Sequence, residues 1–493
     1  MPQMRIYKMN IKEILKKFII KYYDNIIVLF IIGIAAYSLF SNISINNLEH
    51  DELYTLNMLT MNNLFDIIKI GNVTDVNPPL YHAVMFFYTR IFDLSEYMIR
   101  IPSVVFFLIT LYLIFIFTKR LFGAVDGIVS VLVTAMLFPH EWVSLLARGY
   151  ALLVLFTVIT MIFLDNIIRY KMKNNDKNIS YRILICYIVS AIFCIYTHYF
   201  GGILVFSELF FLFIVFNKKV LKEIFIITVP LMVFYVPWLL LISPHKVDVV
   251  HPNFIEWINW SVHANYNLFV VIFFAFIPVV PIIFDILKDK RIKLICNKYL
   301  SVLMLFFLFL FPYFLILFMY KIGIKCYQSR YLIISIIPFY ILIAHGIAIA
   351  GRRKIIILII TVLFIIYGIK QKEPVFRMSQ EAEYNINFIV KNHKKTGRPV
   401  LFIKDGMFEI YHKFHYDKYF NNETNKNNVK LLLYSEVNQI NQTIEELSRM
   451  CGNNFIWVID STLMYDMNSV SLNKDIVKFN SKLPPIYLVK NKK

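Results

Sequence analysis

Long apolar runs of 16–22 residues recur along this chain from Ile26 to Ile369, separated by short polar stretches. A helix needs about 20 such residues to cross a bilayer. Hydrocarbon also demands that each backbone N–H and C=O find its partner within the segment, which a helix alone provides for a single run. The runs therefore predict a polytopic α-helical membrane protein. Composition agrees: 58% of the 493 residues are hydrophobic and the mean hydropathy is +0.62, whereas soluble domains stay nearer half. The first run is long and lacks a small-residue cleavage site, so it reads as a retained helix and not as a signal peptide.

The net charge of +19 follows from the cytoplasmic bias of Lys and Arg in membrane proteins; no nucleic-acid partner is implied. Arg5, Lys8, Lys12, Lys16, Lys17 and Lys21 put the N-terminus inside. Further basic clusters lie at Lys119-Arg120, between Arg169 and Arg182, at Lys218–Lys222, between Lys288 and Lys298, and at Arg352–Lys354. The stretch Pro78–Phe92 is apolar but short for a span. If it lies in the interface, all five clusters fall inside; if it crosses, all five fall outside. The expected count is thus about 11 transmembrane helices plus outer interfacial helices.

Three parts follow. Residues 1–24 form a basic cytoplasmic N-terminus, 25–370 the transmembrane domain with its first outer loop at 42–100, and 371–493 an extracytoplasmic tail. The tail trades apolar runs for Asn, Glu and Lys and reads as a small C-terminal α/β domain. Its strand candidates are Val400–Lys404, Val429–Tyr434, Phe455–Asp460 and Pro485–Val489. Its helix candidates are Gln380–His393 and Thr443–Met450. The five cysteines show no metal-ligand spacing and imply no disulfide framework; Cys186 and Cys194 share one apolar helix and read as core.

Nearly all the chemically able polar residues fall on the expected outer side. Asp51 and Glu52 follow the first apolar helix directly. Carboxylates at a membrane boundary are costly to desolvate and mark a functional site; a tuned carboxylate can act as general base. The plainer reading is a pair that caps the next helix. Asp75 precedes Asn77-Pro78-Pro79-Leu80, whose prolines suit a first helical turn. His198, in Tyr196-Thr197-His198-Tyr199, is either an interface residue or, with Asp75, part of an oxygen–nitrogen divalent metal site. Arg100, Arg148 and Arg330 sit at outer helix ends, against the charge bias. Guanidinium binds phosphate in two-pronged fashion, so three arginines there suggest a phosphate-bearing lipid; snorkelling to headgroups is the alternative. Trp238 and Trp257 read as interfacial aromatic anchors.

Taken in order, these motifs resemble the GT-C superfamily of membrane glycosyltransferases, in the branch of protein O-mannosyltransferases and the lipid A aminoarabinose transferase. The resemblance covers about residues 20–350. It is carried by Asp51-Glu52, Asp75-x-x-Pro78-Pro79-Leu80, Arg100-x-Pro102-Ser103, Ala147-Arg148-Gly149-Tyr150, Tyr196-Thr197-His198-Tyr199 and Arg330-Tyr331. It implies transfer of a sugar from a polyprenyl phosphate to a glycan, lipid or protein acceptor at the plasma membrane. It makes Asp51 the base with Glu52 beside it. It makes Arg100, Arg148, Tyr150, Arg330 and Tyr331 the lipid-phosphate and donor contacts. In some members the positions matching Asp75 and His198 share a metal. The chain departs from the pattern at Asn77, where a cationic residue is common, and at Leu146, where Glu is common, with Glu141 the nearest acid. A flippase of lipid-linked sugars would want broken or charged helices at mid-membrane. A glycan ligase or polymerase would want arginines in a large outer loop, and 243–266 has none.

Overall fold

The computed structural model describes residues 11–43, 48–74, 77–139, 143–174, 179–241, 251–261, 268–288, 298–324 and 326–351, and five strands beyond residue 399. It divides into two compact units. The first comprises Met1–Ile43 and Met61–Lys372, the second Ser44–Thr60 and Glu373–Lys493.

The first unit is helical. Its elements are α1 (Ile11–Asn42), α3 (Leu64–Thr74), α4 (Leu80–Thr89), α5 (Ile101–Phe122), α6 (Ala124–Leu137), α7 (Tyr150–Asn174), α8 (Tyr181–Thr197), α9 (Tyr199–Phe216), α10 (Leu221–Leu241), α11 (Phe254–Ser261), α12 (Leu268–Phe276), α13 (Val279–Lys288), α14 (Leu300–Lys321) and α15 (Ile336–Ala350). Six helical stretches among the described residues are long and apolar enough to cross a membrane: Tyr22–Asn42, Met98–Phe122, Tyr150–Asn174, Tyr199–Val236, Leu300–Lys321 and Ser329–Ala350. Ala124–Leu137 and Tyr181–Thr197 are shorter apolar helices. The expected span at 354–370 lies outside the described residues. At ten residues, α4 reaches about 15 Å, half a hydrocarbon core. Its length suits the interfacial placement expected of Pro78–Phe92.

The helices are held by aromatic packing in place of a water-driven core. Phe107 meets Phe138 at 4.6 Å between centroids, and Phe309 stacks on Phe339 at 4.5 Å. The Tyr340 hydroxyl donates to the Leu137 carbonyl at 3.0 Å, tying α15 to the end of α6. Trp257 corrects an expectation. It is fully buried, stacked on Tyr313 at 5.4 Å and 7°, and pins α11 to α14; Trp238 is likewise buried. Neither is an interfacial anchor. Cys194 is buried as expected, but Cys186 is exposed.

The second unit contains α2 (His50–Leu59) and a five-stranded sheet, β1 (Val400–Lys404), β2 (Val429–Leu433), β3 (Phe455–Asp460), β4 (Lys474–Lys478) and β5 (Ile486–Asn491). The order is β2-β1-β3-β5-β4. β1 runs parallel to β2 and β3, with Val400 opposite Val429 on one side and Trp457 on the other. β5 runs antiparallel to β3 and β4. The four expected strands are present within two residues at each end. β4 was not expected, since Lys474-Asp475-Ile476-Val477-Lys478 offers only two apolar residues. The expected helices at 380–393 and 443–450 lie outside the described residues.

Candidate active site

The helices of the first unit alternate in direction, so their ends sort the polar residues into two sets. At one end α5 begins after Arg100, α7 after Arg148, α9 after His198 and α15 after Arg330-Tyr331. At the other end α5 finishes with Lys119-Arg120, α7 runs through Arg169 and Lys171, and α9 gives way to Lys218-Lys219. Side-chain contacts confirm the sorting. Arg120 and Arg169 both pair with Asp165, Lys171 pairs with Glu223, and His345 with Asp126. Each of these links one basic end to another.

At the opposite end four of the expected residues, His198, Tyr150, Tyr331 and Arg330, lie together, with Tyr81, Ser103, Gly149 and Thr197 leading to them. The Tyr81 hydroxyl on α4 lies 3.4 Å from that of Ser103 in the first turn of α5. A Cβ on Gly149 would meet the Tyr81 Cβ at 3.3 Å and the Thr197 Cγ2 at 3.4 Å. A side chain there would push α4 and α8 away from the start of α7. Thr197 leads into His198, whose ring is 4.9 Å from Tyr331 and 5.9 Å from Tyr150. The Arg330 guanidinium lies 5.9 Å from the Tyr150 ring and 5.7 Å from the Tyr331 ring, at cation–π distance. Its Nε donates to Gln328 Oε1 at 2.9 Å.

Local chemistry explains each placement. His198 caps α9: its backbone is extended and its Nδ1 accepts the Phe200 N–H at 3.2 Å, satisfying one of the amides a helix start leaves over. A Cβ on Gly201 would sit 2.4 Å from the Cys194 carbonyl oxygen, so only glycine lets α9 turn back this tightly on α8. Arg330 is set by α11: Asn253 caps that helix, the Tyr327 hydroxyl contacts the Asn253 carbonyl at 3.4 Å and the Ser329 hydroxyl at 3.2 Å, and Ser329 reaches Glu256 at 3.4 Å.

The three arginines are not equivalent. Arg330 joins the His198 cluster directly. Arg148 is buried and adjoins it through Gly149. Arg100 is 3% exposed and donates from Nη1 to the Ile43 carbonyl at 2.7 Å; it fastens the end of α1 to the start of α5. Charged hydrogen bonds of this kind contribute about 1.5–3 kcal/mol. Phosphate snorkelling is thus a poor description of Arg100 and Arg148, both of which are enclosed.

Asp51 and Glu52 lie in the first turn of α2, in the second unit. Glu49 is the N-cap, and Glu52 accepts the Glu49 N–H at 2.9 Å in a capping box. Glu52 is fully buried. The capping role weighed for the acidic pair therefore falls to Glu52, and Asp51 takes no part in the box. Asp75 and Glu141 lie outside the described residues. Among the described residues no three His, Cys, Asp or Glu side chains gather as a metal-holding set. Tyr81, Ser103 and Phe200 were not expected as site residues. Ser103 stands within the quoted Arg-x-Pro-Ser stretch and Tyr81 directly follows Pro78-Pro79-Leu80, so position in or beside a motif was the available signal.

A family model described as dolichyl-phosphate-mannose-protein mannosyltransferase matches residues 76–245, from the approach to α4 through α10. No curated protein matches the sequence. Among solved structures, the chain is similar to ArnT from Cupriavidus metallidurans in the apo state, with TM-score 0.54 and 11% identity over 94% of this chain and 97% of that one. The same protein bound to undecaprenyl phosphate gives TM-score 0.52 at 11% identity, with the same coverage. The Archaeoglobus fulgidus oligosaccharyltransferase aligns at TM-score 0.47 and 10% identity, over 90% of this chain and 69% of that one. Two comparisons of different kind thus meet the likeness carried by the motifs: the chain has the fold of the Cupriavidus metallidurans ArnT structure, and its residues 76–245 match the dolichyl-phosphate-mannose-protein mannosyltransferase family model.

Proposed function

We propose that this protein transfers a sugar from a polyprenyl-phosphate-linked donor to an acceptor hydroxyl on a glycan, lipid or protein at the outer face of the cell membrane. The observation that carries the reading is the cluster of Arg330, His198, Tyr150 and Tyr331 at one end of a GT-C helical unit. A guanidinium against two tyrosine rings offers directional N–H donors, and phosphate oxygens match their geometry. That a protein of the same fold carries undecaprenyl phosphate supports this choice of ligand.

The chemistry follows from the donor. The acceptor oxygen attacks the anomeric carbon from the face opposite the phosphate. The carbon–oxygen bond to phosphate breaks and its electron pair leaves with polyprenyl phosphate. The acceptor proton passes to the Asp51 carboxylate. A single displacement inverts the anomeric centre, whereas retention would need an opposed carboxylate nucleophile. Arg330 stabilises the charge gathering on the leaving phosphate; one well-aimed donor to such an oxyanion contributes about 3–4 kcal/mol. Glu52 acts indirectly, by fixing the first turn on which Asp51 stands.

The test is transfer of a fluorescent or radiolabelled sugar in membranes containing the protein, with and without a polyprenyl-phosphate donor. The expected result is donor-dependent product of inverted configuration, lost in Arg330→Ala. Donor crossing the bilayer with no new glycosidic bond would replace this reading with the transporter.

A further inference from the structure

His198 shares the Tyr150–Tyr331 pair with Arg330, and the way its ring is held restricts what it can do. The ring is 3% exposed, and Nδ1 accepts the Phe200 amide proton. A ring nitrogen that accepts a hydrogen bond presents its lone pair, so in the neutral imidazole the proton resides on Nε2. A histidine that binds a metal through Nε2 needs the reverse arrangement. Its Nδ1 then carries the proton and donates to a carbonyl, carboxylate or water. Here that proton would point at the Phe200 N–H. Ligation through Nδ1 would take the lone pair that caps α9. Either mode costs the cap, and the α8–α9 turn has little room to adjust: a Cβ added at Gly201 would already lie 2.4 Å from the Cys194 carbonyl oxygen.

We infer that His198 is a fixed-tautomer hydrogen-bond donor, presenting Nε2–H to an anionic oxygen of the donor's phosphate, and is not a metal ligand. The donor half of this inference rests on the phosphate-binding reading of the site. Arg330 and His198 flank the same two tyrosine rings. A guanidinium and a neutral N–H beside the same rings suit an oxygen whose charge grows as the sugar leaves. No proton moves at His198; it binds the oxyanion, and the acceptor's proton goes elsewhere.

Two substitutions separate the cap from the donor. In His198→Asn, Oδ1 takes the place of Nδ1 and keeps the cap, but nothing occupies the Nε2 position. In His198→Gln, the amide nitrogen reaches the Nε2 position and the cap is lost. The full-length protein in nanodiscs is assayed for undecaprenyl-phosphate binding, sugar transfer, melting temperature and bound divalent metal by elemental analysis. The expected result is that His198→Asn melts like the wild type yet loses about 10²–10³-fold in transfer, the effect of removing one oxyanion donor. His198→Gln melts lower and retains more transfer than His198→Asn. Metal content is the same, and substoichiometric, in all three. One divalent ion per wild-type chain that is lost in His198→Asn overturns the inference, and so does full transfer by His198→Asn. Failure of the wild type to bind undecaprenyl phosphate removes the donor role and the phosphate reading together. The metal measurement judges the tautomer separately.

Discussion

Arg330 lies against two tyrosine rings and holds Gln328 through Nε, which a lysine cannot reproduce: an ammonium has neither the planar face nor the forked donors. Arg330→Lys should therefore lower transfer about 10²-fold with little change in melting temperature, and activity near wild type would show that charge alone suffices. The acidic pair divides differently. Glutamine serves at the third helical position of a capping box as well as glutamate does. Glu52→Gln should keep both stability and activity, while Glu52→Ala should cost about 1 kcal/mol, read as a lower melting temperature. Asp51→Asn should abolish transfer at normal membrane levels, and an active Asp51→Asn would remove it as base. Residues of this kind stand out in the sequence as candidates because chemistry that is costly near lipid has to be placed deliberately. What each one touches does not. That Arg100 holds the Ile43 carbonyl and that Tyr81 reaches Ser103 depend on approaches across tens of residues, which no local spacing encodes; only the Glu49–Glu52 cap, three residues apart, lay within local reach.

Among the elements, the α8–α9 hairpin bears most directly on the site, since its turn is His198 itself. Thr197 and His198 close α8, the His198 ring starts α9, and Gly201 lets the two backbones meet at the Cys194 carbonyl. Gly201→Ala would place a methyl group 2.4 Å from that oxygen. Backbone cannot yield as a side-chain tip does, so overpacking of about 1–3 kcal/mol is expected, together with loss of transfer although every polar site residue is intact. Unchanged melting temperature and transfer in Gly201→Ala would show that the turn does not set the histidine. Helix positions were readable from apolar run length. The burial of Trp257 was not, because an aromatic near a span end looks the same in sequence whether it anchors in headgroups or stacks on Tyr313. Strand β4 escaped because two apolar residues between charges give no period to detect. Its neighbours β3 and β5 carry the runs that did.

Taken whole, the helical unit has a site end and a basic end, and the ion pairs of Arg120, Arg169, Lys171 and His345 lie at the latter. Lys171 and Glu223, both nearly buried, pair at 2.6 Å between α7 and α10. Removing one partner leaves a buried charge, so Lys171→Met should destabilise by about 3–5 kcal/mol, and the double variant Lys171→Met/Glu223→Leu should recover much of that. A single variant as stable as wild type would show that the pair is wetted. The same division sets the orientation. Cytoplasmic loops concentrate Lys and Arg, so the end holding Lys119, Arg120, Arg169, Lys218 and Lys219 should face the cytoplasm, and the end holding Arg330 and His198 the outside. With the five native cysteines replaced, a cysteine is placed at exposed Asn62, between α2 and α3, or at exposed Lys218, after α9. A membrane-impermeant maleimide should label position 62 in intact cells and position 218 only after permeabilisation. The reverse pattern would put the arginine cluster on the cytoplasmic side, where an outward-facing polyprenyl-phosphate donor cannot reach it, and would overturn the assigned face of the reaction. Labelling of both positions in intact cells would mean that an even number of crossings separates them, and that Leu80–Thr89 or another short helix must be recounted.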